Sequence, residues 1–434
     1  MNVRDINDCL LRGELDRPGV LPHLDSLARS PFRFEVDLGL PTLPAEPGVL
    51  LIRGPRQYGK STWLEGAIRR TVEEHGPGSA LYLNGDELPS ASDLAEALAS
   101  LGSAFPRRAA VRRLFIDEIT AVADWQRVLK RTLDAGDLRS VLVITTGSQA
   151  TDLRHGAERL PGRKGRLQRT TYLFTPISYA EFVRVCGARV QGHALLTDLL
   201  SGGCPLAAAE LVSTGHLPEF VPAMIRDWVL GECAASGRTR GSLLAVLGKL
   251  AFFGGKPLGQ AKLAREAGLA NNTIAAAYVE LLADLLCVSV SQGWDPSRGI
   301  RVARQPAKYH FVNLLCAVAF HPARPRSVED LEALPGEELG VFWEWLAAQE
   351  LWRRAAIRGD EAPEEMAHWQ SKEHELDFVL SPDRFLEVKR GRTSPLEFGW
   401  FPKVFPRGRL TVIGRDRFET DAIHGMTMED FLLA

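Results

Sequence analysis

The stretch GPRQYGKS, Gly54 to Ser61, follows the apolar run VLLIR and opens the helix-patterned segment STWLEGAIRR. A GxxxxGK(S/T) spacing between a strand and a helix fits few folds. The glycines let backbone N–H groups close around phosphate oxygens, and the helix N-terminus adds its dipole. A chance glycine-rich turn needs neither flank. On this reading Gly54, Pro55, Arg56, Gln57, Tyr58, Gly59, Lys60, Ser61 and Thr62 cradle the phosphates of ATP. Lys60 reaches the β and γ phosphates, and Ser61 holds Mg²⁺.

The surrounding pattern agrees. VLLIRG, ALYLNGD, RRLFIDE and SVLVITTGS alternate with the helical stretches STWLEGAIRRTVEEHG, DLAEALASLG and DWQRVLKRTLDAG. Strand–helix alternation of this kind predicts an α/β fold, a parallel sheet covered by helices. RRLFIDEIT ends an apolar strand on two acids: Asp117 would hold the Mg²⁺ and Glu118 polarise the attacking water. Thr145, Thr146 and Ser148 fall at the mouth of the next strand, where a γ-phosphate sensor and simple strand-end capping are both open readings. Arg163, Lys164 and Arg166 follow. Arg166 or Arg163 is either an arginine finger acting across a subunit interface, which implies a homo-oligomer, or part of a solvated basic loop.

Composition narrows the class. A chain of 434 residues, 45% hydrophobic, exceeds one simple core. No apolar run approaches the ~20 residues of a membrane span, and the N-terminus lacks the pattern of a signal peptide. No membrane partner and a cytoplasmic location are the expectation. The six cysteines include no CxxC pair, which argues against a zinc site or disulfide framework. Net charge is −2, so only its distribution informs. Residues 107–170 carry fourteen Lys/Arg against seven Asp/Glu, 329–377 four against fourteen, and 384–417 nine against three, so basic segments flank an acidic one.

The expected order is a lead-in over 1–44, a P-loop domain over 45–185, a helical lid over 186–240, a winged helix over 241–325 and an α+β domain over 326–434. PTLPAEPG is a connector, GGCP interrupts the lid, and KLAREAGL ends on Gly268 before a helix capped within Asn271 to Thr273. CVSVS then starts a strand.

Residues 45–185 resemble a family of archaeal and bacterial AAA-type P-loop ATPases, through GPRQYGKST, LFIDEIT followed by DW, VITTGSQATDL, the LPGRKG element and TPISYAEF. The resemblance implies ATP hydrolysis and a continuation into a helical lid, a winged helix and a C-terminal restriction-endonuclease-like domain. GGCP and QPAKYHFVNLLCAVAF resemble its later elements, with Asn313 where the family often has aspartate.

A winged helix would direct Asn271, Asn272 and Thr273 toward DNA and set Lys262 or Arg265 on its backbone. Its third helix, TIAAAYVELLADLL, is poor in positive charge, so protein contact remains an equal reading.

HELDFVLSPDRFLEVKRG resembles the strand pair of PD-(D/E)xK nucleases. Period-two alternation turns Glu387 and Lys389 to one face; Asp377 and Glu387 would share Mg²⁺, and Lys389 would orient the attacking water. The helical acid of that pattern is matched best by Glu344. Glu350, six residues on, lies about 120° around the helix.

Two functions follow as expectations: ATP hydrolysis coupled to a Mg²⁺-dependent nuclease domain acting on DNA, or an ATP-dependent switch that binds DNA or a protein through an inactive nuclease-like domain. A small-molecule kinase finds no acceptor-substrate lid in this sequence.

Overall fold

The computed structural model describes residues 1–147, 167–190, 192–303 and 305–434. The chain divides into two compact units, Met1–Thr175 with Ala356–Gly359, and Pro176–Ala355 with Asp360–Ala434.

In the first unit five strands run parallel: β1 (Gly48–Arg53), β2 (Ala80–Asn84), β3 (Arg113–Asp117), β4 (Leu142–Gly147) and β5 (Thr171–Leu173). Their spatial order is β2-β3-β4-β1-β5, so β4 lies between β1 and β3. Continuous burial along β1, β3 and β4 matches their unbroken apolar runs, as expected of strands covered on both faces. Leu81, Ile116 and Val143 pack with Leu94, Trp125 and Leu129 of the flanking helices.

The lead-in belongs to this unit. Asn7, in the helix Val3–Arg12, donates through Nδ2 to the Tyr82 carbonyl (2.8 Å) and accepts from the Tyr82 N–H through Oδ1 (2.7 Å). The outer edge of β2 is thereby partnered by a side chain, which blunts an edge strand.

The second unit begins at Pro176. The helix Tyr179–Cys186 packs on Ala194–Ser201 and Met428–Leu433, which are elements of the second unit.

The second unit begins with helices and continues in the order helix Arg240–Phe252, a one-residue bridge at Leu258 to Ala307, helix Gln260–Glu266, helix Asn272–Asp284, then a hairpin of β6 (Val288–Asp295) and β7 (Ile300–Val302). β8 (Lys308–Phe311) pairs with β6 on the opposite side from β9 (Glu365–Gln370) and β10 (Glu375–Leu376). A further sheet has the order β11-β12-β13-β15-β14, built from β11 (Phe378–Ser381), β12 (Arg384–Val388), β13 (Arg409–Gly414), β14 (Phe418–Glu419) and β15 (Ile423–Thr427). Asp377 is the single residue between β10, which pairs with β9, and β11, which pairs with β12. Here the chain passes from one sheet to the other.

Candidate functional site

Ligands of parallel α/β sheets sit outside the carboxyl ends of the strands. The strand order makes three such ends adjacent: β1 leads into Gly54–Gly59, β4 brings Thr146 beside it opposite Ile52, and β3 ends on Asp117.

The loop after β1 is held open by its backbone. Gln57 and Gly59 take positive φ (64° and 97°), the conformation that turns successive N–H groups inward. A Cβ on Gly54 would come within 2.4 Å of the Phe174 Cβ, so only glycine fits between the loop and the chain after β5. The Lys60 ammonium is buried and donates to the carbonyls of Gly54 (3.1 Å) and Pro55 (2.7 Å). Burial pulls its pKa down to about 8, against the opposing charges of Glu118 and Asp117. An anionic phosphate would restore what burial takes away.

Asp117 is buried and accepts the Thr146 hydroxyl on Oδ1, with the Glu118 N–H at 3.1 Å on the same oxygen. Glu118 sits in the left-handed region (φ 48°), and a Cβ on Gly85 would fall 2.2 Å from its carbonyl oxygen. Gly85 thus leaves room for the turn that carries the second acid past the strand end. A hydroxyl at Ser61 and a carboxylate at Asp117 are a donor set suited to Mg²⁺, which takes one or two protein oxygens and completes its shell from water and phosphate. Ser61 and Asp117 would hold it, and the ion would neutralise charge on the phosphates. Ser148, Arg163, Lys164 and Arg166 lie outside the described residues.

One contributor had no sequence signal. His23, in the lead-in helix Pro22–Arg29, places Nδ1 2.6 Å from Oε1 of Glu65, while the Leu24 N–H donates to Oε2 (2.9 Å). Glu65 stands four residues after Ser61, on the same helix face. The hydrogen bond to Glu65 raises the His23 pKa, outweighing burial, and the charges of Glu65 and Asp117 add to it.

Residues 46–183 match the family model described as an AAA domain. This segment is an AAA-type P-loop ATPase domain. No curated protein matches the chain. Among solved structures, a Walker-type ATPase of Pyrococcus abyssi is 14% identical, covering 70% of this chain and 95% of its own, with TM-score 0.43. The ORC2 protein of Aeropyrum pernix in ADPNP–ADP complexes is 13% identical, covering 83% and 95%, with TM-score 0.36. Cdc6p of Pyrobaculum aerophilum is 14% identical, covering 69% and 91%, with TM-score 0.29. Whole-chain likeness at these values is remote. No described helix is long and apolar enough to cross a membrane.

Beyond the AAA domain, the second unit gathers a different set of groups. Asp377, Glu387 and Glu344 are all buried, and Lys389, just past β12, is about half exposed. Lys389 Nζ lies 2.6 Å from Glu387 Oε1, and Glu387 Oε2 accepts the Asp377 N–H at 3.1 Å. Asp377 Oδ2 accepts the Val388 N–H at 2.9 Å. Glu350 is turned elsewhere, bound by Arg353 and Arg354.

Lys308, not among the expected site residues, joins this group. Its fully buried ammonium sits 2.7 Å from Asp377 Oδ1 and 3.5 Å from Glu344 Oε1, and His310 Nε2 lies 2.9 Å from the same Glu344 oxygen. Lys308 and His310 are two apart on β8, a strand buried at all four positions. A Lys-x-His pair at period two, directly before the apolar run FVNLLCAVAF, was the available signal. Burial would raise the Asp377 pKa, but the charge and hydrogen bond of Lys308 hold it below the ordinary value. Burial, with Asp377 beside it, pushes Glu387 up to about 8.

These residues do not fit the shared Mg²⁺ expected at Asp377 and Glu387. Each of the four oxygens of the two carboxylates already receives an internal donor: Lys308, the Val388 N–H, Lys389 and the Asp377 N–H. Among the described residues no group of three or more His, Cys, Asp or Glu is arranged to hold a metal ion.

Proposed function

We propose that the protein binds and hydrolyses ATP and that its nucleotide state switches how the C-terminal half engages DNA, with a nuclease-like domain that binds rather than cuts. The observation that carries the first part is the Lys60 ammonium resting on the Gly54 and Pro55 carbonyls, next to an Asp117 carboxylate oriented by Thr146. Phosphate oxygens outcompete neutral carbonyls for an ammonium. Glu118 polarises the attacking water, and Arg166 is the candidate finger from a neighbouring copy in a homo-oligomer.

DNA binding rests on the order of three helices, a bridge and a hairpin, which is that of a winged helix. Asn272 and Thr273 open its third helix and are exposed. Asn271 is spent on the cap, accepting the Ile274 N–H (2.9 Å), so readout falls to its two neighbours. Lys262 and Arg265 flank them and take the phosphates. Mg²⁺-dependent cleavage is the second reading, supported by the convergence of Glu344, Asp377, Glu387 and Lys389.

The test incubates purified protein with linear, circular, single-stranded and branched DNA, with Mg²⁺ or Mn²⁺, with and without ATP. ATP-dependent shifts in DNA binding without cleavage are expected. Cleavage lost in the Lys389→Ala, Asp377→Ala double variant would establish the second reading instead. Normal ATP hydrolysis by Lys60→Ala would sink the nucleotide site.

A further inference from the structure

We infer that the Lys308 ammonium is the resident cation of the C-terminal acid cluster, seated where a nuclease of this pattern would take a divalent metal, and that it keeps the centre closed to Mg²⁺. This deepens the proposed function and rests on the nuclease-like reading of the terminal domain.

Burying an ammonium is costly unless opposite charge and hydrogen bonds compensate it. Lys308 has no exposed surface, and Asp377 at 2.7 Å and Glu344 at 3.5 Å supply that compensation. Asp377 is one of the two acids expected to share Mg²⁺ and Glu344 is the helical acid of the same pattern, so the lysine occupies one of the expected metal-holding carboxylates and ties it to the helix.

Charge points the same way. Glu344, Asp377 and Glu387 face Lys308 and Lys389, with His310 on Glu344 and the charge of Glu375 also acting on both lysines. The two ammoniums already offset part of the acids' charge. A divalent ion would have to enter beside a fixed positive charge in a desolvated pocket, where like charges repel strongly. At Asp377 and Glu387 it would also have to compete with the donor that each oxygen already receives.

Geometry makes Lys308 hard to move. Its strand is paired to β6, with Tyr309 opposite Val290 and Lys308 opposite Ser291. Phe378, the residue after Asp377, packs against the His310 ring with centroids 5.0 Å apart.

The experiment counts Mn²⁺ bound by the full-length chain, by electron paramagnetic resonance without nucleotide, in wild type, Asp377→Asn, Lys308→Met and Lys308→Met with Asp377→Asn. Methionine keeps the length and apolar stem of lysine and removes the charge. Wild type and Asp377→Asn are expected to bind the same number of ions. Lys308→Met should gain one Mn²⁺ per chain, and the double variant should lose it.

Wild-type binding that falls by one ion in Asp377→Asn would overturn the inference while leaving the nuclease-like reading intact. A folded Lys308→Met that gains no ion removes both. Should Lys308→Met be unfolded alone, recovery of its thermal transition on adding Mn²⁺ supports the inference. Failure to recover while Lys308→Met with Asp377→Asn folds without metal counts against it. ATP hydrolysis measured on the same samples reports separately on the AAA domain.

Discussion

The Thr146 hydroxyl donates to Oδ1 of Asp117, tying the end of β4 to the end of β3 beside the phosphate loop. The Glu118 N–H reaches the same pair, 3.1 Å from Asp117 Oδ1 and 3.3 Å from the Thr146 hydroxyl oxygen. One hydroxyl therefore orients Asp117, the acid proposed to hold Mg²⁺, and the turn that carries Glu118, the acid proposed to polarise water. Thr146→Val keeps the shape and removes that donor. A hydrogen bond to a charged group contributes about 1.5–3 kcal/mol, so hydrolysis should slow by about ten- to a hundredfold. Nucleotide affinity should change far less. Phosphate release against nucleotide titration separates the two, and an equal loss in both would show that Thr146 serves binding.

Lys60, as the proposed phosphate ligand, should couple nucleotide binding to protons. Burial holds its pKa near 8 in the free protein, so at pH 8 about half the molecules carry a neutral Lys60. A bound polyphosphate favours the charged form and raises the pKa. ATP binding should therefore take up a fraction of a proton near pH 8 and almost none near pH 6.5, where Lys60 is already charged. Calorimetry in buffers of different ionisation enthalpy reads this directly. Lys60→Ala should abolish ATP binding outright.

The AAA domain was legible because its motifs are local: Gly54 to Thr62 form one contiguous loop between a strand and a helix, and an apolar strand ends on Asp117 with Glu118 next to it. What sequence could not give was contact across distance. Asp377 and Lys308 are 69 residues apart and meet because β8 and β10 are brought together through β6 and β9. Spacing along the chain relates Asp377, Glu387 and Lys389 to one another but carries no sign of a cation arriving from a different strand. His23 was invisible for the same reason, since Glu65 lies 42 positions away.

Asn7 offers a test of the lead-in. Both its amide groups are used on the Tyr82 backbone, so Asn7→Ala leaves an N–H and a carbonyl of an edge strand without those partners. The cost should be roughly 1–3 kcal/mol, seen as a lower first thermal transition. Asn7→Asp keeps the acceptor and loses the donor, so it should fall between. An unchanged transition in Asn7→Ala would mean that the lead-in adds no stability to the sheet.

The His23–Glu65 pair makes that same segment sensitive to pH. The His23 pKa is raised in the folded protein by the hydrogen bond to Glu65, above its value of about 6.5 in an unfolded chain. A group whose folded pKa is raised contributes stability that is fully present below the unfolded pKa and is lost as pH rises through the folded one. His23 is about half exposed, so solvent screening limits the effect to about 1 kcal/mol or less. His23→Gln removes the charge and keeps a donor for Glu65. The difference in melting temperature between wild type and His23→Gln should be largest near pH 5.5, shrink above neutrality and vanish once His23 is neutral in both states. A constant difference across that range would assign the pair to packing alone and leave Glu65 held by the Leu24 N–H.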